Sequence, residues 1–111
     1  RQVLTPLSQN NTARYRRAGH SGWHRVSPGG IVLIEGIFSI RNELYLYYDL
    51  TIWLECARNV RLLRGLQRDG ESARERWLYD WMPMEDRYVS VQQPQKRADI
   101  VLDGSGDLTK A

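Results

Sequence analysis

Ile31-Val32-Leu33-Ile34, closed by Glu35-Gly36, is an unbroken apolar run rich in β-branched residues, the pattern of a strand buried on both faces of a parallel sheet. Two more segments repeat it. Tyr48-Asp49-Leu50-Thr51-Ile52-Trp53-Leu54 predicts a second strand, and Ala98-Asp99-Ile100-Val101-Leu102 predicts a third, stopped by Asp103-Gly104. Helical patterns fill the interval between the second and third. Strands alternating with helices predict an α/β fold, in which binding sites sit beyond the carboxyl ends of the strands.

The segment Arg58 to Asp69 places Leu62, Leu63 and Leu66 on one face of a helix and Arg58, Arg61, Arg64 and Arg68 on the other. Spacing alone is satisfied by a solvated basic face on a helix that packs through its leucines. From about Glu71 to Val91, Trp77, Trp81, Met84 and Tyr88 form a narrow stripe suited to core or lid packing. Pro83 interrupts that pattern and predicts a kink or break near Met82.

With 111 residues, 41% apolar and 26% charged, the chain suits one domain that needs neither disulfide nor structural metal to build a core. The longest apolar run ends at Glu35, far short of a membrane-spanning helix, and the amino terminus lacks the order of a secretory signal. Cys56 is the single cysteine, so internal disulfides and cysteine-rich zinc sites are excluded, and a cytoplasmic location is expected. Of the 16 basic residues behind the net charge of +3, 14 are arginine, whose planar fork suits bidentate phosphate contacts.

Residues 13–30 form a basic, aromatic loop ending in Ser27-Pro28-Gly29-Gly30. His20 and His24 have the i, i+4 spacing of a helical zinc pair, but Gly19, Gly22 and the lack of a third ligand argue against one. Glu35-Gly36 ends the first strand with a carboxylate that can hold a metal-bound water and a glycine that permits close backbone approach. Gly104-Ser105-Gly106 reads as a turn, because no Lys-Ser or Lys-Thr follows it.

Taken in order, Tyr15-x4-His20-Ser21, Ile31 to Ile37, Tyr48-Asp49-Leu50, Val60-Arg61-Leu62-Leu63-Arg64-x3-Arg68-Asp69 and Pro94-x3-Ala98 to Gly104 resemble the carboxyl-terminal half to two-thirds of the uridine kinase family of P-loop kinases. The resemblance implies a P-loop NTPase-like three-layer fold with a parallel sheet, incomplete because the amino-terminal P-loop strand is absent. Residues 1–111 would be the carboxyl-terminal part of a single kinase-like domain, with a lid at about 64–88. It assigns Tyr15 and His20 to the nucleoside, Arg64 and Arg68 to the phosphates, and Glu35 to an outer-shell position near Mg2+, with ATP as phosphoryl donor. Phosphoryl transfer relies chiefly on positioning and positive charge, which suits these residue types.

Departures qualify the substrate. Gly65 stands where the family pattern has a second arginine, Arg16 where an aspartate often follows the tyrosine, and the lid is short and lacks an Arg-Gly-Arg turn. Uridine, another nucleoside and another small alcohol all remain open as acceptor. The Gly-x4-Gly-Lys-Ser/Thr loop is absent from these residues, so the chain is expected to be inactive alone and to pair either with a missing amino-terminal segment or with copies of itself. A non-catalytic remnant that binds a nucleotide or a partner is the alternative. A nucleic-acid module is disfavoured, because no binding motif follows the Arg14 to Arg25 segment.

Overall fold

The computed structural model describes residues 2–16 and 19–106 and divides the chain into two compact units, Arg1–Asp49 and Leu50–Ala111. Arg17 of the basic segment lies outside the described residues.

In the first unit a short helix α1 (Leu4–Ser8) precedes strands β1 (Ala13–Tyr15) and β2 (His24–Val26), which pair antiparallel with Ala13 opposite Val26 and Tyr15 opposite His24. Ala13 and Ile40 are its buried apolar residues. A 3-10 turn at Tyr45–Tyr47 meets α1 through a hydrogen bond of 3.1 Å between the Thr5 and Tyr47 hydroxyls. The Tyr48 hydroxyl donates to the Ser39 carbonyl at 2.6 Å, and burial raises its pKa, which keeps it a donor.

The run expected to form the first buried strand does not do so. Ile31–Gly36 adopts no regular structure, with Ile31 100% and Leu33 84% exposed. A strand needs a neighbour for its backbone groups and a cover for its faces, and the described residues supply neither. The apolar sequence records a capacity for burial; nothing within this unit meets it.

The second unit is mixed helix and strand. Strands β3 (Ile52–Glu55) and β4 (Ile100–Asp103) pair parallel in the register Ile52 to Ile100 through Glu55 to Asp103. Both are shorter than their patterns suggest, and their side chains are mostly exposed rather than buried on two faces. The cause is again the count of partners, since a sheet of two strands has two open edges. Their amino ends are joined by Thr51 and Asp99: the Thr51 N–H donates to Asp99 Oδ2 at 2.8 Å, and the Asp99 N–H donates to Thr51 Oγ1 at 3.1 Å.

Helix α2 occupies Arg58–Asp69, the bounds the wheel predicts. Gly70 ends it with φ 90°, a left-handed value that favours glycine, and its N–H closes on the Leu66 carbonyl at 2.7 Å. A 3-10 turn at Glu71–Ala73 leads into α3 (Arg74–Arg76), a π-helical turn at Trp77–Trp81 and α4 (Met82–Gln92).

The π turn is how the chain accommodates Pro83. A helical proline clashes with the carbonyl four residues earlier, here Tyr79, and that residue lies in the widened turn. Pro83 then falls in the first turn of α4, where a missing donor does no harm. The wider turn also slips the apolar phase: Met82 is fully buried, whereas Met84, expected in the stripe, is exposed. Leu66, Trp77 and Met82 form the core, flanked by Leu62, Ala73 and Trp81. Helix α5 (Pro94–Arg97) follows Gln93, a left-handed residue at φ 48°.

Candidate functional site

The arginine face of α2 is neither a uniformly solvated stripe nor a row of free phosphate ligands. Arg58 pairs with Asp86, and Arg61 donates from Nη1 to Glu85 Oε2 at 2.7 Å, so its first two turns are tied to α4. The Arg61 Nε is buried without a hydrogen-bond partner among the described residues.

Arg64 serves a different structure. Its guanidinium donates to the carbonyls of Gly104, of Ser105 at 3.1 Å and of Gly106 at 2.8 Å. The same loop caps the helix, because the Ala57 N–H donates to Ser105 Oγ at 3.2 Å. The Gly104 N–H reaches the Glu55 carbonyl at 2.6 Å, and a Cβ at Gly104 would lie 3.2 Å from that oxygen. The segment following β4 is thereby fastened to the end of β3 and to both the start and the middle of α2. Sequence reading treats Gly104-Ser105-Gly106 as a turn; its carbonyls make it the seat of Arg64.

Arg68 stands well out into solvent, with 72% of its side chain exposed. It donates from Nε to Asp69 Oδ1 at 3.0 Å and from Nη2 to Asp69 Oδ2 at 3.2 Å, while the Trp77 indole N–H donates to Asp69 Oδ2 at 3.0 Å. Its guanidinium lies 5.8 Å from the centre of the Trp77 ring. The Arg68 hydrogen bonds, helped by Trp77, hold the Asp69 carboxyl below its ordinary pKa and raise that of Arg68. Of five guanidinium N–H groups, two are used by Asp69, and the rest are open to a ligand.

Trp77 also explains Gly65. A Cβ at Gly65 would lie 2.6 Å from two carbons of the Trp77 ring, so the indole occupies the space that an arginine side chain would need. The resemblance alone makes Gly65 a lost contact. A glycine inside an otherwise good helix is itself a signal of close approach, and it points to the packing found here.

In the first unit Tyr15 stacks on His24 across the hairpin, with ring centres 5.1 Å apart and planes 24° from parallel. His20, the expected partner of Tyr15 in recognition, is exposed in the connection between β1 and β2. The sequence pattern alone does not announce the roles of His24 and Trp23; strand alternation pairs His24 with Tyr15 only once the hairpin register is fixed. Glu35 is exposed in the irregular segment. Among the described residues, no three His, Cys, Asp or Glu side chains gather into a metal-holding group. No helix among them is long and apolar enough to cross a membrane.

No protein-family model matches the chain.

Proposed function

We propose that the chain is part of an ATP-dependent phosphotransferase resembling the uridine kinases, one that transfers the γ-phosphate of ATP to a nucleoside or a similar small alcohol. The supporting observation is the arrangement around the carboxyl ends of the parallel β3–β4 pair. Helix α2 begins three residues after Glu55, the loop after Asp103 is held against it by Arg64, and Arg68 projects from its last turn. Open α/β sheets build their sites beyond strand carboxyl ends, where Arg64 holds the loop, and an arginine with free donors such as Arg68, one turn further along the same helix, suits a transferred phosphate. On this reading Arg68 carries the phosphate contact and Arg64 positions the loop, and Tyr15 and His20 are the residues assigned to acceptor recognition. ATP phosphates and Mg2+ would be cradled by a Gly-x4-Gly-Lys-Ser/Thr segment, which these 111 residues do not contain.

The internal engagement of Arg58, Arg61 and Arg64 favours a second reading, a non-catalytic remnant that binds a nucleotide or a partner. One experiment separates the two. The chain, together with any segment encoded upstream of Arg1, is assayed for γ-phosphate transfer from ATP across a nucleoside panel, with Arg68→Ala alongside. Transfer that falls about 100-fold or more in the variant, while folding is unchanged, supports the kinase. Nucleotide-dependent thermal stabilisation without transfer supports the remnant. The 111 residues alone are expected to show no turnover.

A further inference from the structure

The β1–β2 hairpin has two unlike faces. Tyr15 and His24 stack on one, whereas the register places Arg14 directly opposite Arg25 on the other. Like charges opposed across an antiparallel pair are destabilising. Arg16 adds a third guanidinium, and both Arg14 and Arg16 lie over the same indole, 5.1 Å and 5.3 Å from the centre of the Trp23 ring.

Nothing nearby in the sequence neutralises them. Residues 1–34 contain no Asp or Glu, and the +3 of the whole chain resides in residues 1–49, with six arginines against three carboxylates; residues 50–111 hold ten basic and ten acidic side chains. Among the described residues, the side chains of Arg14, Arg16 and Arg25 make no hydrogen bond or ion pair. This contrasts with α2, where Arg58, Arg61, Arg64 and Arg68 each have a partner.

We propose that this face binds a phosphomonoester carrying a flat ring, the nucleoside monophosphate class. The phosphate dianion relieves the opposition of Arg14 and Arg25 and takes charge-assisted hydrogen bonds from them and from Arg16. The ring lies against Trp23, which is 55% exposed. A small ligand fits better than a polynucleotide because the cations are confined to a strand pair three residues long with one exposed indole, whereas single-strand binders repeat aromatic platforms along a basic track. The site is separate from the kinase reading, which uses Tyr15 on the opposite face, and stands or falls without it.

The test is calorimetric titration of the 111-residue chain with adenosine 5′-monophosphate, adenosine, inorganic phosphate and a 15-residue oligothymidylate, with the Trp23 indole N–H followed by NMR. Adenosine 5′-monophosphate should bind and shift that resonance, with adenosine at least about tenfold weaker. Arg14→Ala and Arg25→Gln should each weaken binding by about tenfold while circular dichroism and melting stay unchanged. Trp23→Ala should abolish the preference for adenosine 5′-monophosphate over inorganic phosphate. Unchanged affinity in both arginine variants overturns the proposal, as does equal affinity of the native chain for the nucleotide and inorganic phosphate. Much tighter oligothymidylate binding that collapses with added salt also overturns it, in favour of a polynucleotide surface.

Discussion

The hairpin of the first unit and helix α2 of the second are both rich in arginine, yet they use it in opposite ways. On α2 each guanidinium on the basic face has an oxygen partner, from Asp86 and Glu85 to the loop carbonyls and Asp69. On the hairpin the arginines face one another across the strands and share an indole. Composition cannot distinguish these cases, because an arginine's role is set by the acceptors within its reach. An internally paired arginine contributes to folding; one surrounded by its own kind is available to an anion.

The largest effect should come from breaking the packing beneath the paired face. Gly65→Ala gains about 1 kcal/mol in helix propensity, but its Cβ lands 2.6 Å from the buried Trp77 ring. Overpacking of this kind costs about 1–3 kcal/mol, so a net loss in urea unfolding is expected. In the hairpin connection a Cβ at Gly22 meets nothing within 4 Å, and Gly22→Ala should change stability by no more than about 0.5 kcal/mol. A stabilised Gly65→Ala would mean that the indole yields and that the contact is not close.

Next in size is the Arg61–Glu85 pair, where the Glu85 side chain is only 13% exposed. Arg61→Ala leaves that carboxylate shielded from water without its partner, which in a pair only partly buried should cost about 1 kcal/mol. The double variant with Glu85→Gln neutralises the stranded carboxylate and should recover part of the loss, though not all of it, because Asp86 also lies 3.9 Å from Arg61. If Arg61→Ala is no more damaging than a surface substitution, the two arginine clusters do not differ in the way described.

These contrasts also indicate what could be read from sequence. The bounds of α2 were legible because seven residues separate cleanly into leucine and arginine faces, and that periodicity is local. The second and third strands were found at the right places, although only Ile52–Glu55 and Ile100–Asp103 are paired. Ile31 to Ile34 departs from its pattern because an apolar run reports what a segment can bury, whereas forming a strand depends on a neighbour elsewhere. The four arginines of α2 were all identified, but their partners lie 24 to 42 residues away, except Asp69, and no local pattern announces them. The Trp77–Gly65 contact was half visible, as a glycine without an evident reason.

A smaller effect is expected from pH. The Asp69 carboxyl is held below its ordinary value by Arg68 and Trp77, so it binds protons less readily folded than unfolded. Its contribution to stability is present above the ordinary carboxylate range and is lost as pH falls through the lowered folded value. Acid titration followed at the Trp77 indole should show this loss, and Asp69→Asn should remove that step while leaving the hairpin resonances unaltered. A Trp77 signal insensitive to acid in the native chain would remove Asp69 from the lock on Arg68.

The smallest effect separates the two clusters most sharply, because salt should act on them with opposite sign. Screening weakens the exposed Arg58–Asp86 attraction, and it also weakens the repulsion between Arg14 and Arg25. Exposed pairs are worth at most about 1 kcal/mol, so the shifts are small and need residue-level detection. Amide hydrogen exchange provides it. Raising sodium chloride from low to high concentration should speed exchange in the first turn of α2 and slow it at Tyr15 and His24. Arg14→Gln should abolish the hairpin response and leave that of α2 intact, since the substitution removes one of the opposed charges and touches no carboxylate. Salt responses of the same sign in both regions would mean that anions from the buffer already bridge the hairpin arginines, and repeating the measurement with a weakly binding anion would restore the difference.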